Sequence, residues 1–192
     1  LYFDSNIYKR DNEFTRENTV MPKDEVLAEF IPEDGLAMRD SNWSADFSEA
    51  AKSIAWFYTQ EGGSDIDTVI AVNSDFFKDL LGIIGEINMV KYSTVVKQEN
   101  FNEVIQKQVE DDYYDTKENT SVSEPKSILS EMMPVVIVRA KKIENIFKIY
   151  SLVIKSLVNK NIQIFCFKPS LEKKVVSKNW GGAILSSDSD YL

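Results

Sequence analysis

Eight consecutive residues hold the densest set of reactive side chains in the sequence: Arg39-Asp40-Ser41-Asn42-Trp43-Ser44-Ala45-Asp46. A guanidinium grips phosphate through two parallel hydrogen bonds, and carboxylates beside an amide oxygen can hold a hydrated Mg²⁺. A helix starting just after Asp46 would add oriented backbone amides that favour an anion. These are the parts of a pyrophosphate–metal site. The same residues also suit plain structure. Asp46 can cap its helix, Arg39 can pair with Asp40 or Asp46, Asn42 can close a turn, and Trp43 can pin the loop to the core. At the level of sequence both alternatives stand.

The rest of the chain excludes several chemistries. It has 192 residues, no histidine and one cysteine. A Ser-His-Asp triad, a Cys-His pair, an HExxH metal site and an imidazole switch are all ruled out. One cysteine forms no internal disulfide framework and no Cys-based zinc or iron–sulfur site. Cys166, inside the apolar run Ile162 to Phe167, reads as a buried, inert thiol. A net charge of −9 argues against nucleic acid and anionic lipid as partners. Gly62-Gly63 lacks the spacing of a phosphate-binding loop, and neither GxGxxG nor GxxxxGK[ST] occurs. Glu110-Asp111-Asp112, Asp115 and Glu118 lack the alternating ligands and turn glycine of a calcium loop and read as a solvated helix end. Asp65 and Asp67 read as solvated charges at a strand entrance. Arg139, Lys141 and Lys142 suit a helix C-terminus, where the dipole favours cations, or an anion site. Tyr113-Tyr114 and Trp180 offer faces for a sugar ring, and Trp180 beside two glycines also fits a core anchor.

The elements that must position these residues follow from capping and periodicity. Residues 8–21 are polar and poorly periodic and read as an exposed loop, after a turn at Asp4-Ser5-Asn6 between two short strands. Pro22 opens a short helix, and Leu36–Asp40 reads as extended. Asp46, with Glu49 three residues on, starts a helix that Gly62-Gly63 stops. Thr68–Val72 is a continuous apolar run suited to a strand covered on both faces. Asn73-Ser74 caps a helix to Ile84, Gly85 ends it, and Ile87–Val90 is the next strand. Asn100 starts a helix ending near Tyr113-Tyr114. Pro125 opens a long helix to about Lys142, kinked at Pro134. The following helix, Ile143 to Val158, places Ile146, Phe147, Ile149, Tyr150, Val153, Ile154 and Leu157 on its inner face. Then come a buried strand Ile162–Phe167, a helix Pro169–Lys178 and a last strand Ala183–Leu185. The expected class is α/β, a central mixed sheet flanked by helices. The length suits a single domain over residues 1–192. No stretch reaches the roughly 18 apolar residues of a membrane span. The absence of an initial Met points to a piece excised from a longer protein.

The order of motifs resembles a known family. Met38-Arg39-Asp40-Ser41-Asn42-Trp43-Ser44-Ala45-Asp46-Phe47, then Ile54–Tyr58, Asp67–Asn73 and Leu80–Ile87, together with Ile162–Phe165, Asn179-Trp180-Gly181-Gly182 and Asp190-Tyr191-Leu192, look like the bacterial family called domain of unknown function 4012. That family is envelope-associated, typically with an N-terminal membrane anchor. Its middle section is similar to the LytR-CpsA-Psr family, whose members transfer glycopolymers from a polyprenyl-pyrophosphate carrier to the cell wall with arginines, acids and Mg²⁺. The resemblance implies a LytR-CpsA-Psr-like sandwich whose N-terminal part lies upstream of Leu1. It implies a place on the extracellular face of a bacterial membrane, with membrane contact only through a segment outside this chain. It also implies a catalytic set of Arg39, Asp40 and Asp46, with Mg²⁺ on Asp40 and Asp46. Asn42, Lys126 and Arg139 would bind the ligand, a lipid-linked glycopolymer or cell-wall glycan.

Two functions follow. One is a Mg²⁺-dependent glycopolymer phosphotransferase. The other is a non-catalytic extracellular envelope module that binds a glycan or protein partner. Residues 115–138 contain no arginine, which motivates the second. The discriminator is geometric: whether Arg39, Asp40 and Asp46 converge on one open cleft with Lys126 or Arg139.

Overall fold

A computed structural model describes residues 7–17, 20, 29, 35–108 and 127–184. The protein is mixed α/β. Its described residues fall into two compact units, one from residues 7–71 with 163–184, the other from residues 72–162.

The first unit begins with α1 (Ile7–Glu17), where a loop was expected. Asp11 and Phe14, one helical turn apart, are both buried, and Phe14 meets Phe57 edge-on at 5.9 Å. A buried acid on the inward face hides the apolar period that would otherwise announce this helix. Met38–Asp40 forms one 3-10 turn rather than an extended segment. Then α2 (Phe47–Gln60) starts as expected at Asp46, whose Oδ1 accepts from the amides of Ser48 at 2.8 Å and Glu49 at 3.4 Å. Glu49 does not reach back to the cap; its carboxylate takes Lys52 Nζ at 2.7 Å.

Strand β1 (Thr68–Val72) pairs with β4 (Ile162–Cys166) in a two-stranded sheet. Bonds from Asn73 N to Asn161 O and from Phe167 N to Asp67 O make the pair antiparallel. Phe47, Ala50, Ala51, Val69 and Phe165 form the core of this unit. Among the described residues the expected two-sided cover of β1 is not seen: Val69 is buried, but Ile70 is 58 % exposed. Helix α2 covers one side only. Helix α7 (Pro169–Ser177) follows β4, with Pro169 in its first turn. The expected strand from Ala183 is not found at residues 183–184. Trp180 O accepts from Ile164 N, and Ile184 N turns instead to the Asp46 carboxylate.

The second unit opens with α3 (Ser74–Ile84), capped by Asn73 Oδ1 on Phe76 N and ended at Gly85, where φ is +81°. Strand β2 (Ile87–Met89) turns through a 3-10 segment Val90–Tyr92 into β3 (Thr94–Val96), antiparallel with Ile87 opposite Val96. Helices α4 (Phe101–Gln106), α5 (Ser127–Ala140) and α6 (Ile143–Val158) complete it. Helix α5 continues through Pro134. The core gathers Leu81, Ile87, Val96, Ile128, Met132 and Leu152. Helix α6 buries only part of the expected face: Leu157 is buried and Ile149 packs against the core, but the buried side is rotated toward Asn145 and Ser156. Asn145, Leu152, Ser156 and Leu157 point inward, while Phe147 and Tyr150 are exposed. Asn145 Nδ2 donates to Arg139 O at 3.0 Å across the α5–α6 turn, which fixes the helix's rotation.

The strands therefore make two separate two-stranded sheets among the described residues, not one central mixed sheet. The Asp4–Asn6 turn, the Pro22 helix, the acidic stretch with Tyr113-Tyr114, and Lys126 lie outside the described residues.

Candidate functional site

The Met38–Asp40 turn is held from several directions. Asp40 Oδ2 accepts from Ala37 N at 3.0 Å, and Ser41 Oγ donates to Met38 O at 2.6 Å. Glu61, just past the end of α2, accepts from Met38 N at 3.2 Å, and Asp11 on α1 accepts from Arg39 N at 3.3 Å. The turn thus threads between two acids distant in sequence. Its arginine follows: Arg39 Nη1 lies 3.4 Å from Asp11 Oδ2, and Arg39 Nε lies 3.7 Å from Asp40 Oδ2. The Asp11 side chain is wholly buried and that of Arg39 is 24 % exposed. A buried carboxylate without a cation would be strongly destabilising, so the guanidinium is a structural counterion for Asp11.

Asp11 Oδ1 and Glu61 Oε2 are buried and accept no donated hydrogen bond. Burial raises the Asp11 pKa despite its bonds to Glu61 and Arg39. Burial, then the Asp11 charge, pushes Glu61 up to about 7. A single proton shared by the two carboxyls would supply what both orphaned oxygens lack. Neither residue is legible as part of a site in sequence. Asp11 sits in a polar run and Glu61 beside a glycine pair; the only signal is the helical spacing of Asp11 and Phe14.

Asp46 faces other work. Its Oδ1 takes the Ser48 hydroxyl at 2.6 Å besides the cap amides, and its Oδ2 takes Ile184 N at 3.0 Å. These bonds, the Ser48 hydroxyl first, hold its pKa below the usual carboxylate range. A Mg²⁺ on Asp40 and Asp46 would compete with the turn amide on one and with the helix cap on the other. Among the described residues no three acidic or cysteine side chains gather where a metal could sit. One oxygen of Asp40 and both of Asp46 are therefore already engaged by the turn and the cap.

Asn42 lies exposed in the turn that follows. Trp43 is 64 % exposed and does not pin the loop to the core. Arg139 belongs to the other unit, where its Nη1 donates to the carbonyls of Ile84, Gly85 and Glu86, the last at 2.5 Å. It clamps the C-terminal end of α3, satisfying carbonyls that have no intrahelical partner. Arg39 and Asp40 are thus brought together, Asp46 is held by its cap, and Arg139 sits in a structural clamp. A shallow hollow of about 360 Å³ in the second unit is lined by Asp79, Gln98, Ser151 and Lys155, none of them expected at a site.

Trp180 is half-buried, with Lys178 Nζ 5.3 Å above its ring. The following Gly182 has a definite packing role. Its O accepts from Phe47 N at 3.0 Å, and a Cβ there would lie 2.7 Å from Phe47 Cβ.

No helix among the described residues is long and apolar enough to cross a membrane. No curated protein and no solved structure matches the chain. One family model does match, over residues 5–109, more than half of the chain and inclusive of Asp11, Arg39, Asp46 and Glu61. The chain belongs to the family described as "Protein of unknown function (DUF4012)".

Proposed function

We propose that this chain is a non-catalytic module of the bacterial cell envelope that binds a glycan through the loop between the 3-10 turn and α2. One observation carries this reading: the Arg39 guanidinium, the natural phosphate ligand, sits on a wholly buried aspartate. An arginine so placed stabilises the fold and has little freedom to follow charge developing on a substrate. What the loop offers to solvent is Asn42, Trp43 and Ser44. An exposed indole stacks on the apolar face of a sugar ring, and the amide and hydroxyl beside it bond sugar hydroxyls. The envelope placement, on the extracellular side and held by an anchor outside this chain, rests on the resemblance carried by the motifs between Met38 and Ile87 described above.

Co-sedimentation with purified cell-wall glycan tests it. The unmodified protein is expected to bind, and Trp43→Ala to weaken binding about fivefold, since stacking on one aromatic contributes on the order of 1 kcal/mol. Equal binding by the variant would sink the assignment.

A second reading keeps one observation on its side. Arg39 and Asp40 are adjacent and each is about a quarter exposed, at 24 % and 26 %. With a LytR-CpsA-Psr-like sandwich, this pair would handle a polyprenyl-pyrophosphate-linked glycopolymer, with Mg²⁺ supplying charge neutralisation and Asp46, Asn42, Lys126 and Arg139 assisting. Thermal unfolding with Mg²⁺ and a polyprenyl pyrophosphate separates the two. A rise in Tm that Asp40→Asn removes establishes the transferase reading; an unchanged Tm supports the module.

A further inference from the structure

Helix α6 is amphipathic twice over. One face buries Asn145, Leu152 and Ser156 in its own unit. The opposite face leaves Ile143 76 %, Phe147 79 %, Tyr150 66 % and Val158 63 % exposed, with half-buried Ile154 among them. At 3.6 residues per turn these five lie within an arc of roughly 80°. Exposed apolar groups in one continuous stripe, unlike scattered ones, mark a contact surface.

We propose that this stripe is the interface for a second copy of this chain, with two α6 helices packed antiparallel about a two-fold axis near Tyr150 and Ser151. The argument is self-complementarity. About that axis Ile143 falls opposite Val158 of the second copy, and Phe147 opposite Ile154. The charges obey the same symmetry. Glu144, near the start of the helix, and Lys155, near its end, lie on one edge of the stripe, both exposed. In an antiparallel pair equivalent edges meet, so each Glu144 faces the other copy's Lys155, and the two-fold axis makes the pair twice. The helix dipoles also oppose favourably. Lys155 already lies 3.8 Å from Asp79 in its own chain, but both are exposed, and such a pair contributes too little to hold the ammonium there.

Other occupants fit less well. A bilayer with anionic headgroups would meet a chain of net charge −9. An acidic partner helix would find Glu144 on the same edge as Lys155. The helix is about 24 Å long, so the contact covers on the order of 500 Å² per partner, below the roughly 800 Å² of a standard interface. Association is therefore expected in the micromolar range or weaker.

Analytical ultracentrifugation of the full chain across a wide concentration range tests this. The protein is expected to dimerise reversibly. Phe147→Glu is expected to weaken the dimer more than about 100-fold with unchanged circular dichroism and Tm, because that ring touches little in the monomer. Glu144→Lys and Lys155→Glu are each expected to weaken it about tenfold, and the double exchange to restore it to within about threefold. A chain that stays monomeric throughout overturns the proposal. So does a dimer indifferent to Phe147→Glu, or single charge reversals that the double variant fails to rescue. Phe147-dependent binding to phosphatidylglycerol vesicles without dimerisation would also overturn it, assigning the stripe to a membrane. Glycan binding through Trp43 is a separate readout, so either result can fail alone.

Discussion

A carboxylate buried as deeply as Asp11 must be matched by a cation, by donors or by a proton, and here all three share the task. Arg39 supplies the cation and one amide, while Glu61 shares the proton. The consequence for pH has a definite sign. The folded state keeps the Glu61 proton up to about 7, above the ordinary value of 4.5. Folding therefore takes up a proton between those limits, and stability falls as pH rises through them, by about 1 kcal/mol once solvent screening of this partly exposed residue is allowed for. The Asp11 charge adds to the Glu61 rise and Arg10 partly offsets it, while Arg39 lowers Asp11 instead. Urea denaturation at pH 5 and pH 8 is expected to show that loss, and Glu61→Gln to flatten it. Asp46 acts in the opposite direction. Its depressed pKa contributes stability at neutral pH that is lost in acid as pH falls through its folded value. At pH 7, Asp46→Ala is expected to lower stability through the lost cap, read as a lower urea midpoint in the same denaturation. The cap was legible because its partners lie two and three residues away. The acid pair was not, because two carboxylates 50 positions apart look like ordinary surface charges until the fold brings them together.

At the scale of elements, local signals located the pieces and long-range contacts decided their faces. Caps at Asp46 and Asn73, and glycines at 62 and 85, bound α2 and α3 where the sequence placed them. Helix α1 escaped notice because Asp11 occupies an inward position. Phe147 and Tyr150 of α6 read as core in the sequence because apolar period alone cannot say which of two faces is covered, and the buried side is marked by Asn145 and Ser156 as well as Leu152 and Leu157. The β2–β3 hairpin turns at Ser93, in the left-handed region at φ +49° without a glycine, so no turn signature advertised it. Gly182 shows what a motif glycine does in this fold. Its backbone lies against the first turn of α2, and a methyl group would meet Phe47 Cβ, which the helix holds in place. Gly182→Ala is expected to destabilise by about 1–3 kcal/mol, measured by thermal unfolding. A loss below about 0.3 kcal/mol would mean that the contact yields freely.

For the whole molecule, mixed α/β character was readable from alternating strand and helix signals, but the pairing was not. Strand β1 finds its partner in β4, some 90 residues later, and β2 pairs with β3, so the described residues hold two ribbons of two strands rather than one sheet. Function was less legible still. The chain lacks histidine and a phosphate-loop pattern, and its richest polar stretch serves a turn, a cap and a buried acid. The account's central claim is that Arg39 braces Asp11 instead of seating a phosphate. A double-mutant cycle with Arg39→Met and Asp11→Asn, measured by urea denaturation at pH 8, tests it most directly. The predicted coupling is about 1–3 kcal/mol, with the Arg39→Met loss largely gone once Asp11 is neutral. Additive losses, with coupling under about 0.3 kcal/mol, would contradict the brace and return Arg39 to the pool of residues available for a ligand.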